Sequence, residues 1–374
     1  MNKRGLITDI LAKLDKIEDI SWEEIVDKYE LEYSPDHIRK LGYGMRMYRD
    51  IIGEENEDEN EKLLEIKLEK TRLSDMRTEC NRRIRSLARL ENIVDLIKEN
   101  IVELANEKPM IGELNIKDKS SGNDGLLCLS DLHIGMEVNN TINKYNIDIA
   151  KERLKTIIEK VIINGKRHDI DKLHMILNGD LISAELHSSI KLSNAESLTK
   201  QIVLASEIVS ECIFELSKHF YCTVSQNIGN HEAVEFIKDD RSNKNNYSMI
   251  INEMIKLRLK DVPNVMFIEG VNHCEMTVSR IKNLNVISTH GDQVSLNRCS
   301  EQLEMATGVK PDLIILGHYH RQQMMCQYDT EIYINGSLVS TDEYAYKKKL
   351  YNPPSQLMLI IDDEGVECSY VLKS

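Results

Sequence analysis

The spacing of hydrophobic and polar positions changes twice along the chain. The first 50 residues carry helix-start signals: Ser21 and Glu24 form a Ser-x-x-Glu box, which predicts a helix that starts beside it. Ser34 followed by Pro35 predicts the start of a second helix. Two helices joined by a short turn predict a helix-turn-helix-like module over residues 1–52.

The second of these helices would present a basic face. Its imidazole and cationic side chains suit the groove of a nucleic acid. They are His37, Arg39, Lys40, Arg46 and Arg49. Because the total charge of the module is slightly acidic, a small helical cap or a dimerisation module is the alternative interpretation.

A heptad pattern of apolar residues begins at Ile66, after an acidic run over residues 54–61. Nine of its eleven a and d positions are apolar, and the eleven are Ile66, Glu69, Leu73, Met76, Cys80, Arg83, Leu87, Leu90, Val94, Ile97 and Ile101. The pattern predicts a long helix or coiled coil over residues 53–105, in which Arg83 would set register or oligomer state. An apolar seam needs a partner, so we expect an even-numbered homo-oligomer through the N-terminal helices. Folding back onto the following domain is the alternative.

The same helix carries a run of arginines. They are Arg72, Arg77, Arg82, Arg83, Arg85 and Arg89. The run forms either a stripe that faces DNA or an ordinary solvated face of the helix.

Residues 106–125 carry glycine, serine and proline and predict a linker, after which the period changes again. Short apolar runs alternate with helical stretches at about 147–164 and 196–218, and later follow one another. The predicted strands are Leu126–Ser130, Leu173–Leu177, Tyr221–Ser225, Val265–Glu269, Cys274–Ser279, Asn285–Thr289, Leu313–Leu316, Glu331–Ile334 and Leu357–Asp362. This order predicts an α/β sandwich for residues 126–374, parallel at first and more antiparallel later.

Five of the predicted strands end in residues with oxygen or imidazole side chains, often beside glycine. In chain order they are Asp131 and His133, Asp180, Asn230 and His231, His290, and His318 and His320. Because sites in open α/β sheets form at the carboxyl ends of strands, we expect these side chains to meet. Any one of them alone would more often be a helix cap or a satisfied core group. Five such strand ends in one domain favour a shared site.

The predicted ligands are oxygen and nitrogen atoms without a thiolate, a set that suits Mn²⁺, Fe or Zn²⁺. Seven ligands exceed the needs of one ion. They suit two ions, about 3.5–4 Å apart, that share a carboxylate.

Composition limits the other possibilities. The net charge of −14 means that contact with nucleic acid would need local basic patches or bound cations. Aromatic residues make up only 5% of the 374 residues, so we do not expect stacking surfaces for single strands to dominate. Eight cysteines without a C-x-x-C pair, and no apolar run of membrane length, favour a cytoplasmic protein with free thiols and no membrane partner.

The ordered strand ends resemble the calcineurin-like metallophosphoesterases. The chain matches the motifs D-x-H, G-D, G-N-H-E, H-G-D and G-H-x-H, in that order, across roughly residues 126–362. The resemblance implies a four-layer α/β/β/α sandwich with two divalent metal ions. Mn²⁺ is the expected ion, and Zn²⁺, Fe and Mg²⁺ are the alternatives.

The resemblance also implies a role for each site residue. One ion would be held by Asp131, His133, Asp180 and His320. The other would be held by Asp180, Asn230, His290 and His318, so that Asp180 bridges the two. His231 would bind neither ion and, together with Asp180 and Asn230, would form the catalytic set. Its own task would be to stabilise the transition state and protonate the leaving oxygen.

Two positions depart from the family pattern. Members often have Asp, which orients the catalytic histidine, where this chain has Glu232. Many also carry a second acid shortly after G-D, where this chain has Leu181, Ile182 and Ser183. Both departures concern groups that support the ligands rather than the ligands themselves.

Four further segments resemble metallophosphoesterases encoded by phages and prophages of Gram-positive bacteria, which are grouped with DNA-repair exonucleases. They are SWEEI, GDLISAELH, INGSLVSTDEYA and PPSQLMLIID. This resemblance implies a DNA nuclease or exonuclease of the host cytoplasm, which attacks phosphodiesters with a metal-bridging hydroxide. The alternatives are a phosphodiesterase or phosphatase for small or cyclic nucleotides and a DNA-binding scaffold with a vestigial site.

Overall fold

The computed structural model describes residues 3–17, 19–52, 65–81, 84, 110, 122–185, 194–234 and 245–374. The chain divides into two compact units, Met1–Arg85 and Ser86–Ser374, which we call the helical unit and the strand unit. Among the described residues, no helix combines the length and the apolar character needed to cross a bilayer. All eight cysteines are free thiols.

The helical unit begins with three helices, which are α1 (Lys3–Leu14), α2 (Trp22–Lys28) and α3 (Pro35–Ile52). The predicted capping box is confirmed: the Glu24 backbone N–H donates to Ser21 Oγ at 3.1 Å, and the Ser21 N–H donates to the Glu24 carboxylate at 2.6 Å. One small apolar cluster holds the three helices together, and its buried members are Ile10, Leu14, Ile25 and Ile38.

The heptad region is described only in part. Residues 65–81 form a helix, α4, whose apolar positions Ile66, Leu73 and Met76 are exposed. Arg82 and Arg83, and the rest of the predicted seam and arginine stripe from residue 85 on, lie outside the described residues. The coiled coil and the oligomer therefore stay predictions.

Within the described residues, the strand unit contains two sheets, a two-stranded hairpin and five α-helices. The strands are β1 (Asp124–Leu129), β2 (Val138–Asn139), β3 (Lys144–Tyr145), β4 (Lys172–Asn178), β5 (Tyr221–Asn227), β6 (Val265–Ile268), β7 (Met276–Ile281), β8 (Leu284–Thr289), β9 (Leu313–Leu316), β10 (Gln323–Gln327), β11 (Thr330–Ile334), β12 (Ser355–Ile361) and β13 (Val366–Lys373). The helices are α5 (Ile147–Arg167), α6 (Leu198–Ser217), α7 (Tyr247–Leu259), α8 (Cys299–Thr307) and α9 (Glu343–Lys348).

The predicted mixed α/β organisation is confirmed. The first sheet has the order β13-β12-β1-β4-β5-β6, and its strands β1, β4, β5 and β6 run parallel. The second sheet has the order β10-β11-β9-β8-β7, in which the three central strands run parallel and the two edge strands antiparallel. The carboxyl ends of the parallel strands lead to the candidate site.

Alternation along β1 shows how the layers pack. Leu127 and Leu129 join the large cluster that α5, α6 and α7 share with one face of the first sheet. Leu126 and Cys128, one residue out of phase, join a cluster with β8, β9 and β12 between the two sheets. Because both faces of β1 are covered, the strand reads as a continuous apolar run.

Candidate metal centre

Loops at the carboxyl ends of five strands carry the residues of the candidate site. Asp131 and His133 follow β1, Asp180 follows β4, Asn230 and His231 follow β5, His290 follows β8, and His318 and His320 follow β9. Five of these non-glycine residues have a left-handed backbone, with φ between 46° and 66°, and they are Asp131, His133, Asp180, His318 and His320. Such conformations cost energy and cluster at functional sites.

Glycines let two of the loops approach closely. A Cβ on Gly179 would lie 2.7 Å from the Gly229 Cα and 2.8 Å from the His290 ring. A Cβ on Gly229 would lie 2.2 Å from the Asp180 backbone nitrogen. The G-D and G-N-H motifs therefore carry glycine because their backbones touch.

A first group joins Asp131, His133 and His320, whose ligand atoms all lie within 4.8 Å of one another. His320 Nε2 is 3.1 Å from Asp131 Oδ1 and also 3.1 Å from His133 Nε2. Asp131 and His133 are buried, whereas 26% of the His320 side chain is exposed. One edge of this group is therefore open to solvent.

A second group joins Asp180, His290 and His318 within the same distance. His290 Nε2 lies 3.1 Å from Asp180 Oδ2 and 3.1 Å from Asn230 Oδ1. The Nδ1 atom of His290 is 2.8 Å from the Asn178 carbonyl, which can only accept a hydrogen bond. That contact places the proton on Nδ1 and leaves Nε2 to face the site.

His231 lies between the two groups. Its backbone N–H donates to Asp180 Oδ1 at 2.9 Å, and its Nε2 is 3.9 Å from Asp180 Oδ2. Asp180, His133 and His231 form a third set with ligand atoms within 4.8 Å. Asp180 thus belongs to two of the three groups, and the distances by themselves also allow His231 to be a ligand.

Buried oxygen and nitrogen atoms of the site have lone pairs that divalent cations could accept. Among the described residues, His133 Nδ1 is buried without a hydrogen-bond partner, and Asp131 Oδ1 is buried with the Nε2 of His320 facing it at 3.1 Å. The Nε2 atoms of His133 and His320 face each other at 3.1 Å, and when neither carries a proton both would offer a lone pair to a cation. Carboxylate, amide and imidazole donors are those that Mn²⁺, Fe and Zn²⁺ take.

Burial and neighbouring charges together set the pKa values of the buried site residues. Burial alone would raise the pKa of Asp180, but the nearby imidazoles of His290 and His231 hold it well below its usual range. Burial lowers the pKa of His133 far below its usual range, and the charge of His231 adds to this shift. An ionised Asp180 and a neutral His133 are the forms that bind a metal ion.

Buried polar side chains outside the predicted motifs support the Asp131 carboxylate. Ser130 Oγ donates to Asp131 Oδ2 at 2.5 Å, and the His318 backbone N–H donates to the same oxygen at 3.2 Å. Asn335 Nδ2 in turn donates to Ser130 Oγ and to Gln356 Oε1, both at 2.9 Å. All four side chains of this network are buried, so Oδ1 of Asp131 is the oxygen left for an ion.

Glu232 has a different task from the one that the family pattern suggested. Its carboxylate accepts the backbone N–H groups of Asp180 at 3.0 Å and Leu181 at 2.5 Å instead of contacting the His231 ring. The Nδ1 of His231 instead lies 2.9 Å from the Ser183 carbonyl oxygen. Burial, with the charge of Asp180, raises the pKa of Glu232 to about 8.

Comparison with known proteins gives only distant structural similarities. No protein-family model and no curated protein matches the chain. Solved structures with similarity include an archaeal phosphodiesterase (14% identity, 66% of this chain and 99% of that chain, TM-score 0.33). A predicted phosphoesterase from Streptococcus pneumoniae (11%, 68% and 100%, 0.29) and Vps29 from Entamoeba histolytica (12%, 66% and 98%, 0.31) also match. At these identities and scores, the similarities do not assign an activity to this chain.

Proposed function

We propose that the strand unit is a two-metal phosphodiesterase with the four-layer calcineurin-like fold. The observation that carries the proposal is the position of Asp180. A carboxylate oxygen of Asp180 lies within 4.8 Å of ring nitrogens of His290 and His318 in one group and of His133 and His231 in another. A carboxylate in that position suits the bridge of a binuclear centre.

One ion would be held by Asp131, His133, Asp180 and His320, and the other by Asp180, Asn230, His290 and His318. When bound, two divalent ions supply Lewis acidity toward phosphoryl oxygens and lower the pKa of water. We expect Mn²⁺ to serve, with Zn²⁺, Fe and Mg²⁺ as alternatives.

His231 is the proposed general acid. The Ser183 carbonyl accepts a hydrogen bond from its Nδ1, so that proton is already used. The other nitrogen, Nε2, points toward Asp180 and the site, where a proton on it can pass to the leaving oxygen. Asp180 fixes the loop because it accepts the His231 backbone N–H.

DNA is the proposed substrate, and the enzyme is a nuclease or exonuclease of the phage and prophage type. The support is the resemblance of the sequence segments, and the cations explain how a chain of net charge −14 handles a polyanion. A homo-oligomer through the N-terminal helices belongs to the same proposal. The alternative function, a phosphodiesterase or phosphatase for small or cyclic nucleotides, needs the same metal centre. Only the preferred substrate distinguishes that enzyme from a nuclease.

An activity panel with Mn²⁺ tests the proposal. It compares single- and double-stranded DNA, RNA, cyclic nucleotides and a chromogenic diester, with Asp180→Ala as the control. Preference for DNA supports the nuclease, and preference for a cyclic nucleotide supports the alternative function. If the protein hydrolyses none of these substrates in a way that depends on Asp180, the result supports the third alternative, a DNA-binding scaffold with a vestigial site.

A further inference from the structure

A basic and aromatic surface follows α9 in the strand unit. The three lysines at residues 347–349 are exposed, and Leu350 and Tyr351 follow with 54% and 63% of their surface accessible. Three consecutive lysines occur nowhere else in this acidic chain. We call residues 347–351 the lysine–tyrosine surface.

Helix stability explains only part of this surface. Cations in the last turn of a helix favour its dipole, which accounts for Lys347 and Lys348. Lys349 lies beyond the helix with φ of +62°, and its ammonium group sits 5.1 Å from the centre of the Tyr346 ring. Lys349 ends the helix through its backbone N–H, which donates to the Tyr346 carbonyl at 3.1 Å. That role does not require the lysine side chain, and the exposed Tyr351 lies beyond the helix, so helix stability does not account for these two side chains.

The segment that leads into α9 is fixed to the candidate metal centre. The Leu338 backbone N–H and the Ser337 hydroxyl both donate to the Asp131 carbonyl at 3.1 Å. Asp342 then caps the helix by accepting the Ala345 N–H at 2.7 Å, and its charge acts on the imidazole of His320. The helix therefore starts beside the first metal group.

A second set of contacts fixes the other side of α9. Asn140 Nδ2 donates to the Thr341 carbonyl at 3.3 Å, and Thr141 Oγ1 donates to the Tyr346 hydroxyl at 3.2 Å. Asn140 and Thr141 both lie in the turn of the β2–β3 hairpin, which follows His133 in the chain. Residues 339–342 and the six residues of α9 can span at most about 20–25 Å, so the lysines lie within roughly that distance of the Asp131 carbonyl that Leu338 contacts. A strand with a phosphate every 3.4 Å or so covers that span with about seven nucleotides.

We propose that the lysine–tyrosine surface binds the nucleic-acid strand that leads away from the scissile phosphodiester. The lysines contact phosphates, and Tyr351 stacks on a base. This assignment rests on the proposed function, because the strand is placed by the phosphodiester at the metal centre. An exposed tyrosine beside lysines favours a nucleic acid over an acidic peptide, which has no ring to stack.

Binding without cleavage tests the lysines. With Mn²⁺ present, the anisotropy of a fluorescent, cleavage-resistant single-stranded phosphorothioate oligonucleotide is measured for Lys347→Ala/Lys348→Ala across a salt series. The affinity should fall about tenfold or more, and the slope of log affinity against log salt should shrink by about 1.4, or about 0.7 for each phosphate contact.

The matched control removes the same charge near the amino-terminal end of β4, the end of the strand that lies away from Asp180. Lys166→Ala/Lys172→Ala changes two exposed lysines, one in the last turn of α5 and one at the start of β4, the strand that ends before Asp180. This control should keep the wild-type affinity and slope. Equal losses in the two double variants would overturn the assignment, because they would mean that only total charge matters.

The tyrosine is tested with an abasic strand of the same length. Tyr351→Ala should weaken binding of the base-bearing strand about tenfold, the effect of one lost stacking contact, and should leave the abasic strand unaffected. Tyr351→Phe should restore binding because it keeps the ring. Equal loss on both strands, or competition by polyglutamate as strong as by the oligonucleotide, would contradict the proposal.

Turnover separates this inference from the proposed function. With Mn²⁺, the ratio of kcat/KM on the oligonucleotide to kcat/KM on the chromogenic diester should fall about tenfold in the lysine variant and stay constant in the control. If the wild-type protein cleaves both substrates and the two double variants have the same ratio of kcat/KM values, the role of the lysine–tyrosine surface is overturned and the proposed function stands. A wild-type protein that cleaves neither substrate would overturn the proposed function and this inference with it.

Discussion

In the helical unit, charged side chains lie at the surface and pair with one another, whereas in the strand unit the charged groups of the site are buried at strand ends. On α3, Arg49 is 2.5 Å from Asp15, Arg39 is 2.6 Å from Asp36, and Lys40 is 3.0 Å from the same aspartate. In the strand unit, no more than 1% of the surface of Asp131, Asp180, Glu232, His133 and His290 is exposed.

The two patterns imply different origins for stability and function. Exposed ion pairs contribute little to folding, so the helical unit depends on its few buried apolar residues. Buried charges are costly to fold, and a site with so many of them needs ligands to offset that cost. Polar substitutions in the strand unit should therefore affect function most, and apolar substitutions in the helical unit should affect stability most.

The largest effect expected from a single side chain that is not an assigned ligand is at His231. His231→Ala should lower turnover of a DNA substrate by roughly 10²–10⁴, the usual range for a lost general acid. Both ions should stay bound, as measured by elemental analysis of the purified variant. Loss of an ion would instead make His231 a ligand, an arrangement that its distance to Asp180 also permits.

Ile25→Ala tests the source of stability in the helical unit. Ile25 is fully buried between the three N-terminal helices, so its truncation should lower the free energy of unfolding of this unit by about 2–5 kcal/mol. Leu41→Ala, which changes a leucine that is 46% exposed, is the control and should cost far less. Both are measured by circular dichroism during denaturation. A fall in chromogenic-diester turnover in parallel with stability would contradict the division of roles.

Ser130→Ala tests the network behind Asp131. Without the Ser130 hydroxyl, Asp131 Oδ2 loses one of its two donors, and the affinity for one of two ions should fall by roughly 10–100-fold. Ser206→Ala, which removes a buried hydroxyl that donates to the Ile202 carbonyl in α6, is the matched control. Mn²⁺ titration of both variants is the measurement. Equal losses of affinity would show that the hydroxyl acts through general stability.

The smallest effect concerns Asp15. Its hydrogen bond from Arg49 holds the pKa of the carboxyl below its usual range, so the unfolded chain binds a proton more readily than the native one. The resulting stability is present above the ordinary aspartate pKa and is lost as pH falls below about 4. Asp15→Asn should remove this part of the pH dependence of unfolding. An unchanged pH profile would mean that the pair contributes nothing.

The sequence predicts well those features that one strand or one turn determines. Each of the nine predicted strands overlaps an observed strand, and the Ser21–Glu24 box is present. The hydrophobic pattern does not reveal β10, with the sequence QMMCQ, or β13, whose exposure alternates at the sheet edge. It also misses the β2–β3 hairpin, whose strands have two residues each. Edge and very short strands carry too few buried apolar positions to give a pattern.

The candidate site shows the same division. Six of the predicted ligands and His231 form three overlapping groups, and Asn230 lies 3.1 Å from His290, because the ends of neighbouring parallel strands meet. The groups behind them were not predicted, since Ser130 and Gln356 are 226 positions apart and polar residues in apolar strands have no local signature. Glu232 was associated with His231 by motif order alone, and only the fold shows that its carboxylate reaches the backbone of Asp180.

Metal stoichiometry tests the central claim most directly. The wild-type protein is loaded with Mn²⁺, separated from free ion and measured for manganese per chain, beside Asp180→Ala and the Ser206→Ala control. The account predicts two ions per chain for wild type and control, and fewer than two for Asp180→Ala because both groups lose their shared carboxylate. At most one ion in the wild type, with Asp180→Ala unchanged, would contradict the binuclear centre.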